Sequence, residues 1–204
     1  MTNYRKYTKA AKAISFAVAA STMFAGASAF AATSNVPASA NVVPPIAVAQ
    51  PSDLRFGTIA PAAAAGTVVI AAPATLPATA PTTAAPYQSG TRSSTGGVML
   101  VGGATCSATV DCGAGGLQIT GGNSATFSTI TLPATVTLSS GANNMTIGTL
   151  TSRYGATGTA GVTTGAGTLS ATGTGLLMVG GTLAVGANQA TGAYTGTMAV
   201  TVDY

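Results

Sequence analysis

Alternation of apolar and polar residues is clearest at the end of the chain. From Ala193 to Tyr204, the side chains of Tyr194, Met198, Val200, Val202 and Tyr204 fall on one face, with Gly196 at the remaining position of that face. Ala193, Thr195, Thr197, Ala199, Thr201 and Asp203 fall on the other. This period of two predicts a half-buried antiparallel strand running to the last residue. It serves either as an ordinary core-facing final strand or as a recognition strand that pairs with another chain by β-augmentation. Shorter runs carry the same signal. Gly66–Ala71, Thr129–Leu132, Ala134–Leu138 and Met145–Ile147 are rich in Thr, Val and Ile and are bounded by Gly, Pro or Asn. That punctuation predicts the many short strands of a sandwich. Ala62–Ala65 is bracketed too closely by Pro61 and Gly66 to sustain a helix.

Two stretches interrupt the strands. Ala72–Thr95 contains Pro73, Pro77, Pro81 and Pro86, and Gly155–Gly175 is a Gly/Thr/Ala tract with few large apolar groups, so both are expected to be loops. Near the N-terminus Val36, Ala38, Ala40, Val42, Ile46 and Val48 share even positions, interrupted by Pro37, Pro44 and Pro45. Proline cannot donate to a ladder, which limits this segment to an edge strand, an intermittent pairing partner or a linker. Small alternating apolar side chains on an extension are also what a donor strand needs to fill another subunit's groove. Both readings stay open.

The first residues change how the charge is read. Arg5, Lys6, Lys9 and Lys12 precede an uncharged run from Ala13 to Phe24, and Ala29-Phe30-Ala31 offers small residues ahead of Ala32. This is the layout of a secretory signal peptide, expected to be cut after Ala31; cutting after Ala29 or Ala32 would alter nothing that follows. An uncleaved anchor is the competing reading, weakened by the Ser, Thr and Gly that dilute the run. Cleavage removes every lysine. Arg55, Arg92 and Arg153 then stand against Asp53, Asp111 and Asp203, so the exported part is neutral although the full chain has a net charge of +4. No basic footprint for nucleic acid remains, and a net charge near zero favours association.

The same inventory leaves little to catalyse with. The chain has no His and no Glu, which excludes Ser-His-Asp and Cys-His arrangements, and it lacks the lysine of a phosphate-binding loop. Two cysteines cannot build a zinc site. Calcium at Asp53 or Asp111 would have too few carboxylates around it, and the glycosylation pattern at Asn144-Met145-Thr146 lies in a strand-like setting. The expectation is a protein that is not an enzyme and holds no cofactor or metal. In an exported chain the default reading of Cys106 and Cys112 is a disulfide, here closing a short loop and stapling a local hairpin. So small a ring contributes about 2 kcal/mol.

Several blocks carry a resemblance to a known family: LRFGTIAP at Leu54–Pro61, GTVVI at Gly66–Ile70, and GGTLAVGANQ at Gly180–Gln189 running into GAYTGT at Gly192–Thr197. With the segment Ala125–Leu150 they resemble the bacterial exported family called domain of unknown function 4402, over most of the chain after Asp53. That family is similar in layout to spore-coat-U-like and archaic chaperone-usher pilins. The resemblance implies an all-β, immunoglobulin-like (pilin-like) antiparallel β-sandwich with an extended N-terminal segment, completed in a polymer by a neighbour's N-terminal strand. It implies partners too: copies of itself or related subunits, a periplasmic chaperone on Tyr194, Met198, Val200, Val202 and Tyr204, and an outer-membrane usher. Three prolines in the donor segment and the Cys106–Cys112 loop depart from that pattern.

The expected organisation is therefore a signal peptide over 1–31, an extension over 32–52 acting as linker or donor strand, and a sandwich domain over 53–204. The expected function is an exported structural cell-surface protein, a fimbrial or pilus-like subunit. The alternative is a self-complete secreted surface-coat, carbohydrate-binding or adhesion module.

Overall fold

The computed structural model describes residues 33–81, 87, 90–162 and 165–204. The signal peptide expected over residues 1–31 lies outside the described residues. The chain divides into two units, Met1–Ala40 and Asn41–Tyr204. In the first, residues 33–40 carry no regular structure and are exposed. The second is all-β and antiparallel, with no helix among the described residues.

Among the described residues fifteen strands follow in order: β1 (Ala47–Ser52), β2 (Arg55–Phe56), β3 (Ile59–Ala60), β4 (Gly66–Ile70), β5 (Arg92–Ser94), β6 (Met99–Leu100), β7 (Cys112–Gly113), β8 (Gly115–Thr120), β9 (Thr126–Phe127), β10 (Thr129–Thr131), β11 (Val136–Ser140), β12 (Asn143–Gly155), β13 (Gly167–Thr168), β14 (Thr174–Val185) and β15 (Thr201–Asp203). Seven of them form one curled sheet resembling half a barrel, in the order β1-β8-β14-β12-β11, with β4 on β14 and β5 on β4. Four two-stranded ladders, β10-β15, β13-β9, β2-β7 and β3-β6, complete it.

The curl is made at β14. Its first half, Thr174–Val179, pairs with β8, and its second, Gly181–Val185, pairs with β4 along the same edge. On the opposite edge β12 shifts register between Gly148 and Thr151, where Thr149 takes φ +46°. The inward face changes at the same place. Leu176 and Met178 enter one core, Leu177 and Val179 a second, while beyond the kink Leu183 and Val185 return to the first. Gly180 and Gly181 permit this because β4 passes so close that a Cβ on Gly180 would strike the Ile70 carbonyl.

The first core gathers Phe56, Val68, Ile70, Val136, Met145 and Ile147 around β14, and the second gathers Ile119, Phe127, Ile130, Tyr154, Leu169 and Val202. Fully burying one such Leu, Ile or Phe side chain contributes about 1.5–3 kcal/mol. Tyr154 packs edge-on to Phe127 with ring centroids 4.7 Å apart, and its hydroxyl donates to the Thr168 carbonyl at 2.8 Å.

The expected strands at Gly66–Ala71, Thr129–Leu132, Ala134–Leu138 and Met145–Ile147 correspond to β4, β10, β11 and part of β12. The described residues of the two expected loops are more ordered than their composition implies, and they include β5 in the first stretch and β13 in the second. Residues 72–81 and 156–162 bond to each other, with the Leu76 N–H on the Thr159 carbonyl at 2.9 Å and the Gly161 N–H on the Ala74 carbonyl at 2.8 Å. Glycine itself does the packing in the second tract. A Cβ on Gly167 would lie 2.6 Å from both the Phe127 and Tyr154 rings, so bare backbone covers these aromatics. The disulfide between Cys106 and Cys112 is present, with Cα atoms 4.9 Å apart. It closes a turn, since the Val110 and Asp111 N–H groups both bond the Ser107 carbonyl, and not the hairpin expected.

Burial pushes the Tyr154 hydroxyl up to about 12 from its ordinary 10.0. The folded state thus favours the neutral phenol, and this contribution is fully present below pH 10 and lost as pH rises from about 10 towards 12. Urea midpoints measured across that window are expected to fall with pH. In Tyr154→Phe the midpoint should start lower, by about 1 kcal/mol for the lost Thr168 bond, and this part of the pH dependence should flatten.

Candidate functional site

Buried core side chains of the sheet, with the half-buried Leu138, form the bottom of a pocket along one side of the domain. The patch is assembled by cross-strand register: Val136 on β11 faces Ile147 on β12, which faces Leu183 on β14, and Leu138 faces Met145. These side chains floor an apolar groove of about 1160 Å³. One wall is the segment from Ser52 to Pro61, the other the segment from Gln189 to Val200.

The first wall is built on an arginine. Arg92 is 1% exposed, yet among the described residues no carboxylate reaches it. Its guanidinium donates to four backbone carbonyls instead: Phe56 at 2.5 Å, Thr58 at 3.1 Å, Val101 at 2.5 Å and Gly103 at 3.1 Å. Desolvation lowers its pKa, but so basic a group remains charged at neutral pH. This cage accounts for the FGT sequence at Phe56–Thr58. Gly57 takes φ +71°, and a Cβ there would come 2.5 Å from the Arg92 guanidinium and 2.8 Å from the Val110 carbonyl. The disulfide closes the back of the cage, with Cys112 fully buried and its Cβ 3.2 Å from that same position.

At the rim, Arg55 bonds Asp53 at 2.9 Å and Asp111 at 3.1 Å. These hydrogen bonds, Asp53 first, raise its pKa. Both carboxylates weighed as calcium ligands are thus engaged by a cation, and an exposed cluster of this kind contributes little to stability.

The second wall follows from GANQ and the tyrosine after it. Gln189 Oε1 accepts from the Gly186 N–H at 3.1 Å, and Gln189 Nε2 donates to the Tyr194 hydroxyl at 2.8 Å, which donates on to the Ala190 carbonyl. The tight turn needs Asn188 at φ +48°, and its N–H bonds the Ala62 carbonyl at 2.8 Å. Beyond it the chain crosses the groove. Tyr194, Met198 and Val200 lean inward, half-buried, while Thr195, Thr197 and Ala199 stay exposed.

The structure corrects the continuous strand expected over Ala193–Tyr204. The alternation holds for the inward and outward side chains, but the ladder exists only at Thr195, which bridges Ser139, and over β15, which pairs with β10. Between them Gly196 to Val200 makes no backbone hydrogen bond with the described residues. Val202 is buried in the second core, and Tyr204, 43% exposed, stands apart from the groove.

The residues expected to form a donor strand separate into two groups. Val36 and Val42 are 86% and 91% exposed, and Ala38 and Ala40 are also exposed. Ile46 packs half-buried on the second core, and Val48 lies in β1 opposite Ile119. β1 thus takes part of the expected extension into the sheet. Arg92 and Gln189 carried no signal in the sequence that marked them as wall residues.

Replacing Arg92 by Met leaves four carbonyls without their donor and is expected to cost about 3–5 kcal/mol. Arg55→Ala should cost less than about 1 kcal/mol. Urea unfolding of the oxidised protein measures both, and similar values for the two would remove the cage from its place in the fold.

No curated protein matches the chain, and neither does any solved structure. A family model does match, over residues 76–204, which contain β5 to β15 and the whole second wall of the groove. The block at Leu54–Pro61 lies outside the matched residues. By that match, which covers more than half of its length, the chain belongs to the family described as Domain of unknown function (DUF4402).

Proposed function

We propose that this chain is an exported structural protein of the cell surface, a pilus-like subunit that joins copies of itself or related subunits by β-strand complementation in an immunoglobulin-like arrangement. The observation that carries this reading is the groove. Its floor is core-grade apolar surface, and the segment above it, Gly196–Val200, has an unpaired backbone. An extended strand laid beside that segment would satisfy its N–H and C=O groups and cover the half-buried Leu138, Met198 and Val200.

The occupant proposed is the N-terminal segment of a second copy. It is uncharged, it alternates Val36, Ala38, Ala40 and Val42 at period two, and side chains of this size suit a slot already narrowed by Tyr194, Met198 and Val200. Pro37 is compatible with one-sided pairing, in which alternate N–H groups face away from the ladder. The near absence of charge on the exported part favours the same fate. In this reading the leader directs export, a periplasmic chaperone holds the C-terminal segment through Tyr194, Met198 and Val200 until assembly, and an outer-membrane usher threads the subunits.

A second reading is favoured by one observation. β1 pairs with β8 of its own chain, so the domain closes part of its own sheet. That suits a self-complete surface-coat or carbohydrate-binding module.

The test compares the full exported chain with a variant lacking residues 33–43, which spares β1. Assembly predicts filaments or oligomers of the full chain by electron microscopy and sedimentation, and a folded monomer from the shortened one. A synthetic peptide of residues 33–46, added at about 100 times its Kd, should then stabilise the shortened domain by about 2.7 kcal/mol. A full chain that stays monomeric at high concentration and leaves the peptide unbound, while binding glycans, establishes the second reading.

A further inference from the structure

Pro44 and Pro45 cannot donate to a ladder, so the pairing of β1 with β8 has its outermost pair at Ala47 and Thr120, and the chain before it would be expected to fray. It is held by the other end of the chain. The hydroxyl of Tyr204 donates to the Pro44 carbonyl at 2.8 Å and accepts from the Gly122 N–H at 3.0 Å. Val43 sits over Gly122, where a Cβ would be 3.1 Å from its own, and a Cβ on Gly121 would strike the tyrosine hydroxyl. Tyr204 is in turn anchored. Val202 pairs with Ile130, the Ser128 N–H bonds the Asp203 carbonyl at 2.8 Å, and Ser128 Oγ donates to the Tyr204 carbonyl at 2.8 Å.

We propose that Tyr204 is a latch between the two ends of the chain, whose hydroxyl pins the base of the N-terminal arm at Pro44, so that displacing the C-terminal segment frees the arm. The geometry favours this coupling because the latch follows the weakest part of the C-terminal segment, Gly196–Val200, which has no ladder of its own. A strand taken up beside that segment pulls on β15 and Tyr204, and the arm is released as the groove fills. Coupling of this kind is reciprocal: removing the arm loosens β15. Its use in assembly rests on the function proposed above, but the latch itself does not.

The test is hydrogen exchange on the full exported protein at a concentration where it is monomeric. In Tyr204→Phe, which loses both hydroxyl bonds, the amides of Gly122 and of Ile46–Ala49 are expected to exchange about tenfold faster while those of β4 and β14 keep their rates. Pro44→Ala keeps the carbonyl and should match the wild type. Deleting residues 33–45 should speed exchange over Thr201–Asp203, and Ser128→Ala, which loosens only the anchor of Tyr204, should act in the same places as Tyr204→Phe but more weakly, providing the readout should that variant fail to fold. Unchanged rates at Gly122 and Ile46–Ala49 overturn the latch, as does uniform acceleration of every amide. Filaments with an inert Tyr204 sink the latch alone; latch kinetics as expected in a chain that never assembles sink the assembly reading alone.

Discussion

Leu176 and Met178 face one core of this domain and Leu177 and Val179 the other, so β14 has to satisfy two hydrophobic interiors with four consecutive side chains. Among the described residues no other strand is placed between β8, β4 and β12 at once. The remaining architecture follows from that position. One edge of β14 must be shared between β8 and β4, which forces the change of face at Gly180–Gly181, and β12 has to shift register opposite it. The sheet therefore curls instead of lying flat, and the first core ends in an open groove where the curl has not closed.

The walls of that groove solve a problem posed by a nearly chargeless chain. Without lysine or glutamate in the described part, few long polar side chains are available to tie loops to the sheet. Arg92 ties four carbonyls from two turns in a single planar fork, and the Cys106–Cys112 turn packs behind it. On the opposite wall, Gln189 and Tyr194 achieve the same with neutral groups. The two sequence blocks most characteristic of the chain, FGTI and GANQ with its following tyrosine, thus have one structural task each, and both stand beside the same opening.

The ends of the chain complete the picture. The N-terminal segment joins the sheet only as far as its prolines allow, and the C-terminal segment pairs only where β10 and β11 offer an edge. Each end has unmet backbone capacity, and the hydroxyl of Tyr204 connects them. A domain built this way is structurally complete at its two cores and incomplete at its margins.

Much of this was legible before any tertiary contact was known. Residue alternation located β4, β10, β11 and the beginning of β12, and it identified the inward set Tyr194, Met198, Val200 and Val202, because half-buried strands must alternate. Two cysteines in a chain expected to be exported were enough to expect their bond. The buried half of β14 was not legible, since Leu176–Val179 is covered on both faces and loses the alternation that betrays a strand. Nor were the packed glycine tract, whose contacts are made by backbone, or the cage of Arg92, because a lone arginine reads the same whether it is solvated or enclosed by carbonyls. The pairing of Tyr204 with Pro44 lies between opposite ends of the sequence, and no local pattern encodes a contact that exists only once β1 and β15 have docked on the same core. Sequence by itself determined which residues could be buried and which could carry charge. Tertiary structure alone decided where the sheet stops closing, because that depends on the sum of every register and bulge along β14 and β12.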